Sequence, residues 1–392
     1  MAQSRGGAGI NLALATAAFT LTFWAWNLVG PLATTYSDDL GLSPTQTSLI
    51  IAFPVLVGSV GRIPVGALTD RYGGRVMMAA ICFVSIVPVL LVGLFGGSFT
   101  LLLVWGFLLG IAGTSFAVGI PFVNAWHAPH RRGLATGVFG AGMGGTALSA
   151  FFTPALVAAV GLAEAHVLMA VALAAMGVIM LVFSRDAPDW RPSTDPVLPR
   201  MTDALRLKAT WQTMVLYAVA FGGFVAFSTY LPTLLQAAYG FAQTEAGLRT
   251  AGFSIVAVVA RPIGGLLSDR IGPVRVCLAS FAITAAMAIA LAFDPPAEIR
   301  AGVVFVLMAF ALGLGTGGVF ALVAKLVDPS RVGAVTGLVG AAGGLGGYFP
   351  PLLMGVVLQA TGTYTTGFVL LAIVAAVTAL YTVRAFTEFG RR

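Results

Sequence analysis

Charge is scarce in this sequence. Only 9% of its 392 residues are Asp, Glu, Lys or Arg, where soluble domains carry about a quarter. Acid is scarcer than base, 14 carboxylates against 21 Lys and Arg, for a net charge of +7. The excess is not a nucleic-acid footprint, because the basic residues sit in short clusters between apolar runs and not along one face. Two cysteines, Cys82 and Cys277, exclude a disulfide framework and a cysteine-rich metal centre. Three histidines, none at metal-helix spacing from another, leave no metal site and no Ser/His/Asp set. No cofactor is implied, no soluble output domain is present, and an enzyme or sensor is not expected.

Apolar residues take the remaining space: 58% of the chain is hydrophobic, with a mean hydropathy of +0.97. Length alone would suggest two or three soluble domains, but this composition points to a polytopic membrane protein. Twelve apolar runs are long enough to span: 10–35, 44–68, 76–95, 98–126, 132–160, 164–184, 210–238, 244–268, 274–293, 300–326, 332–360 and 363–386. The first continues well past the length of a signal-peptide core and reads as a spanning helix. One long polar stretch, rich in proline and mixed charge, divides the chain. The expected organisation is therefore a six-helix bundle over 1–184, a linker over 185–209 and a second six-helix bundle over 210–392.

The basic residues set the orientation. Arg71 and Arg75, Arg131 and Arg132, Arg270 and Arg275, and Lys325 and Arg331 fall on one side, with Arg5 and with Arg391 and Arg392 at the chain ends. The opposite side holds Asp38, Asp39, Glu164, Glu245, Asp294 and Glu298, with Arg249 and Arg300 as its cations. Both termini and the linker are expected in the cytoplasm, and the protein in the inner (plasma) membrane.

The two halves repeat. Arg62, Gly66, Leu68, Asp70, Arg71 and Gly73 match Arg261, Gly265, Leu267, Asp269, Arg270 and Gly272 at an offset of 199. Gly133, Thr136, Gly137, Gly140, Ala141 and Gly144 match Gly333, Thr336, Gly337, Gly340, Ala341 and Gly344 at an offset of 200. Internal repeats of this kind mark transporters whose substrate lies near the midplane between the halves.

Arg62 and Arg261 each lie eight residues before a loop aspartate, Asp70 or Asp269. At ~1.5 Å per residue that places each roughly 12 Å inside a hydrocarbon core ~30 Å thick. An arginine there costs at least ~2.5–3.5 kcal/mol and faces a cavity or a partner. No carboxylate falls in the span interiors, so two repeat-related cations call for an anion from outside. A guanidinium fork donates two parallel hydrogen bonds and suits a planar oxyanion. Arginines satisfied by helix carbonyls are the bland alternative.

The run from Gly66 to Arg75, repeated at 265–275, resembles the loop signature of the major facilitator superfamily. The glycine-rich runs of helices 5 and 11, with one arginine each on helices 2 and 8, resemble the nitrate/nitrite porters. The resemblance implies an all-α fold of twelve transmembrane helices in two pseudo-symmetric bundles, and a nitrate and/or nitrite transporter working by alternating access. Its implied site has Tyr217 and Phe221 on helix 7 donating to and enclosing the anion, with Phe116 of helix 4 and Phe23 of helix 1, rather than Phe19, as further walls. Gly140, Gly144, Gly340 and Gly344 would touch substrate through backbone or serve packing. Where the family often has asparagine on helix 5, this chain has Met143, whose repeat mate is Gly343; that departure points to altered selectivity. Asp70, Arg71 and Arg75, with Asp269, Arg270 and Arg275, would form inter-helix salt bridges that steady the outward-facing state.

The absence of an intramembrane carboxylate relay favours nitrate/nitrite exchange over proton symport. The rival readings are a carrier of another small anion, such as cyanate or a short carboxylate, and proton-coupled nitrate symport. A monomer in the lipid bilayer is expected.

Overall fold

The computed structural model describes residues 5–128, 131–192, 197–297, 299–327 and 331–386. His130, Glu298, Arg391 and Arg392 lie outside the described residues, as does the side chain of Arg5. Among the described residues all regular secondary structure is helical. Hydrocarbon supplies no hydrogen bonds, and a helix satisfies its backbone internally.

Among the described residues eleven helices are long and apolar enough to cross a bilayer, and one bent pair completes twelve. They are α1 (Gly7–Leu40), α2 (Pro44–Val60 and Arg62–Tyr72, bent by 40°), α3 (Gly74–Phe95), α4 (Phe99–Ala125), α5 (Ala135–Val160), α6 (Leu162–Phe183), α7 (Lys208–Tyr239), α8 (Gln243–Ile271), α9 (Pro273–Ala292), α10 (Ile299–Leu326), α11 (Ala334–Thr361) and α12 (Thr365–Ala385). The first span runs further than the apolar pattern suggested. Asp38 and Asp39 occupy its last turn, and it stops only at Gly41, which takes a left-handed φ of 63°. It is also broken at Asn27 and Leu28, between the helical pieces Arg5–Trp26 and Val29–Leu40. The polar stretch between the halves carries a short helix, Val197–Leu205, in which Met201, Ala204 and Leu205 recur at helical spacing.

The helices form two bundles, α1–α6 and α7–α12. Within them α3 packs on α6, α8 on α10, α7 on α11 and α9 on α12. The bundles meet along α2 with α11, α5 with α8 and α1 with α7. The repeat is visible in the backbone: Gly73 and Gly272, which end α2 and α8, have φ of 87° and 92°, a region that side chains rarely adopt.

The interface is sealed at the end that carries Asp38. There Gln243 Nε2 donates to Pro31 O at 3.0 Å and Thr35 Oγ1 at 2.8 Å, and Thr34 Oγ1 donates to Gln236 Oε1 at 3.0 Å. Deeper, Asn27 Nδ2 lies 3.5 Å from Ser228 O and 3.4 Å from Thr146 O, touching both bundles. At the arginine-rich end the interface stands open. Gly66 and Gly265 lie one turn beyond Arg62 and Arg261, and Gly137 and Gly337 one turn before Gly140 and Gly340, on the same helix faces. A Cβ placed on any of the four meets nothing within 4 Å, and none of them is buried.

Candidate anion-binding site

Arg62 opens the second piece of α2, immediately after the bend at Gly61, and Arg261 sits within α8. Both are buried, 3% and 7% exposed. Neither forms an ion pair among the described residues, and each charge acts on the other. Phe116 stands between them, its ring centroid 5.0 Å from Arg62 Cζ and 5.8 Å from Arg261 Cζ. Phe221 lies 5.5 Å from Arg62 Cζ, and Phe320 5.4 Å from Arg261 Cζ. The negative faces of the rings offset part of the cost of burying the cations.

Each guanidinium uses the same nitrogen to reach the opposite bundle. Arg62 Nη1 donates to Gly340 O of α11 at 2.7 Å. Arg261 Nη1 lies 2.6 Å from the sulfur of Met143, in a 3₁₀ turn (Ala141–Gly144) within α5. Arg62 Nε and Nη2, which form the two-donor edge of the fork, are buried and have no hydrogen-bond partner among the described residues. The same holds for Tyr217 Oη. Tyr217 stacks on Phe221 at 5.1 Å and an interplanar angle of 3°, and both arginines act on it electrostatically. Buried donors without acceptors are rare in folded proteins and mark a place where an acceptor arrives.

The structure thus brings Arg62, Arg261, Tyr217, Phe221, Phe116 and Met143 together. Of the glycines, Gly340 supplies its carbonyl to Arg62, and a Cβ on Gly140 would lie 3.5 Å from Arg261 Cζ. Gly344 faces Ser59 and serves packing, and Gly144 faces no neighbour within 4 Å. Phe23 stands back from the arginines: it packs on Phe19 and Trp26, while Phe19 lies 5.8 Å from Phe116. Sequence reasoning missed Phe320, which touches Tyr217 at 4.7 Å as well as facing Arg261. The repeat gave no signal for it, because the matching residue of the first half is Ile120. Gly343 is required for the site, since a Cβ there would collide with the rings of Tyr217 and Phe221.

At the arginine-rich end, Asp70 lines a small cleft of about 70 Å³ with Phe122, Asp186 and Trp190. The backbone N–H of Arg75 donates to Asp186 Oδ1 at 3.1 Å, and its side chain donates to Leu181 O. Arg71 is exposed over the Tyr72 ring. Asp269, Arg270 and Arg275 are exposed and form no ion pair among the described residues, in keeping with an interface that is open at this end.

Two repeat-related helical bundles that enclose a buried cationic site between them define a membrane transporter. The chain belongs to the Major Facilitator Superfamily, whose family model matches residues 15–248 and 213–388. It is 55% identical over 379 residues, covering 96% of both chains, to a probable nitrate/nitrite transporter, NarK2, of Mycobacterium tuberculosis. It is 37% identical to the probable nitrate/nitrite antiporter NarK1 of Thermus thermophilus, covering 94% of this chain and 89% of that one. It is 35% identical to a nitrite extrusion protein of Bacillus subtilis, covering 93% and 91%. Among solved structures, an inward-facing bacterial homologue of the human lysosomal transporter Spinster superposes with a TM-score of 0.74 at 18% identity, covering 96% of both chains. The human organic anion transporter MFSD10 does so with a TM-score of 0.73 at 16% identity, covering 95% of this chain and 98% of that one.

Proposed function

We propose that this protein carries nitrate and nitrite across the bacterial inner membrane by alternating access, as a monomer, exchanging one anion for the other. The observation that carries this reading is the buried Nε–Nη2 edge of Arg62, beside a second buried guanidinium, with neither a hydrogen-bond partner for that edge nor a carboxylate paired to either arginine among the described residues. Two parallel N–H donors fit two oxygens of a flat oxyanion. Tyr217 Oη and Arg261 supply further donors, and the stacked rings of Tyr217, Phe221 and Phe116 limit the space to a small flat ion.

The same charges explain coupling. Two cations facing each other across the interface resist closure, and an anion between them removes that resistance. The two halves, residues 1–184 and 210–392 joined by the linker 185–209, then rock as bodies about the fixed site. Positive charge at the open end supports a cytoplasmic position for that end, the linker and both termini. The relatives' names support the choice of anion.

The test is anion-dependent thermal stabilisation of detergent-purified protein at constant ionic strength. At 100 times its dissociation constant a ligand adds about 2.7 kcal/mol. Nitrate and nitrite are expected to stabilise, chloride is not, and Arg62→Lys and Arg261→Lys are expected to abolish the effect. If cyanate or formate stabilises while nitrate and nitrite do not, the substrate is a different small anion. Equal melting temperatures in all these salts would sink the anion site itself.

A further inference from the structure

The two arginines are held across the interface by unequal partners. Arg62 Nη1 is fixed on a main-chain carbonyl, that of Gly340, by a 2.7 Å hydrogen bond. Its free edge is thereby aimed and rigid, and it satisfies two oxygens of any planar anion equally well. Arg62 therefore cannot distinguish an anion with two oxygens from one with three. Arg261 Nη1 meets the thioether of Met143, a weak acceptor on a flexible side chain, which has no N–H or O–H to offer. Met143 is 1% exposed, packed into that wall. Its repeat mate is Gly343, and in the space a side chain would need there stand the rings of Tyr217 and Phe221. The second bundle thus brings an unpartnered hydroxyl to the site. The corresponding wall of the first bundle brings sulfur.

We propose that Met143 is the specificity-determining residue of the site, and that by withholding a hydrogen-bond donor it biases the carrier toward the two-oxygen anion, nitrite, over nitrate. The inference rests on the two-arginine reading above. A buried oxygen without a donor loses the hydrogen bonds it had in water, and nitrate brings one more oxygen into the site than nitrite does. A donor restored at position 143 therefore helps nitrate more than nitrite.

The experiment measures dissociation constants for both anions, by titrated thermal stabilisation, on four proteins. These are the unaltered chain, Met143→Leu, which keeps the volume without the sulfur, and Met143→Gln and Met143→Asn, which add an amide donor at two lengths. The expected result is a change of about tenfold in the nitrate-to-nitrite affinity ratio, toward nitrate, in one or both amide variants. Met143→Leu adds no donor of its own and only releases Arg261 Nη1 from the sulfur, so it should shift the ratio less than the amide variants do. A merely structural role would move melting temperature without moving the ratio. If the amide variants fold and bind both anions with the original ratio, the proposal is overturned. The same holds if Met143→Leu shifts the ratio as far as they do. If the unaltered chain binds neither anion, it is the two-arginine reading that fails, and that outcome is separate because it appears before any variant is compared.

Discussion

Tyr217 carries a hydroxyl that is fully buried and lacks a hydrogen-bond partner among the described residues, an arrangement that costs stability of its own. Tyr217→Phe keeps the ring that stacks on Phe221 and removes only the orphaned donor. Without anion this variant is expected to melt no lower than the parent, and its affinity for nitrate and nitrite is expected to fall about tenfold. A paired melting experiment with and without nitrate reads both numbers, and a loss of stability with unchanged affinity would show the hydroxyl to be structural. At this scale the arginines were legible in the sequence because depth in the membrane can be counted from a loop motif, and charge at that depth has few explanations. Tyr217 and Phe221 were legible through the resemblance to the nitrate/nitrite porters, while their spacing of four put them only on one helix face. Phe320 was not, since its neighbour in the repeat is Ile120 and nothing in a run of apolar residues says which ring will face a cation. Met143 meets Arg261 from within the 3₁₀ turn at Ala141–Gly144, and helical spacing alone does not reveal such a turn.

The helices place these side chains through close approaches that glycine alone permits. Between α7 and α11, a Cβ on Gly222 would sit 2.5 Å from the carbonyl carbon of Gly346, so the two backbones are in contact one residue from Phe221. Gly222→Val must push α11 away from α7 and carry Tyr217 and Phe221 off the arginines. Overpacking of this kind costs ~1–3 kcal/mol, so the variant is expected to melt lower and to lose stabilisation by nitrate. Gly252→Ala, at an exposed position whose added Cβ meets nothing within 4 Å, is the control and is expected to leave both unchanged. If Gly222→Val melts lower yet binds nitrate normally, the α7–α11 contact does not set the site. The number of spans was legible because each needs an apolar run of about twenty residues, and all twelve are present in such runs. The bend at Gly61 and the break at Asn27 were not. Both fall inside continuous apolar stretches, just before Pro64 and Pro31, which cannot donate to the carbonyls four residues back, those of Val60 and Asn27. Pro54 and Pro88 sit inside helices without a break, so the residue alone does not say where a helix gives way.

On the scale of the whole molecule, the hydrogen bonds among Pro31, Thr34, Thr35, Gln236 and Gln243 close one end of the interface, while the faces of Gly66, Gly137, Gly265 and Gly337 leave the other end open. The sequence could not reveal which end would be closed, because the repeat relates one bundle to the other and not one end to the other, and the choice is made by polar contacts between bundles. The two native cysteines, Cys82 and Cys277, are free and fully buried, so single cysteines added elsewhere can report on access. Gly337→Cys, at an exposed position one turn from Gly340, is expected to react with a membrane-impermeant thiol reagent in inside-out vesicles and to stay unreactive in right-side-out ones. Gly247→Ser and Gly247→Ala, by contrast, place a side chain against the main-chain carbonyl of Ala150 at the closed end. They are expected to loosen that seal and to slow the Gly337→Cys reaction when combined with it, because weakening one gate shifts the population toward the opposite opening. Saturating nitrate or nitrite should also slow the Gly337→Cys reaction, since an anion between Arg62 and Arg261 favours closure of both ends. Equal reaction rates with and without anion would mean that binding does not draw the halves together, and exchange would then need another source of coupling.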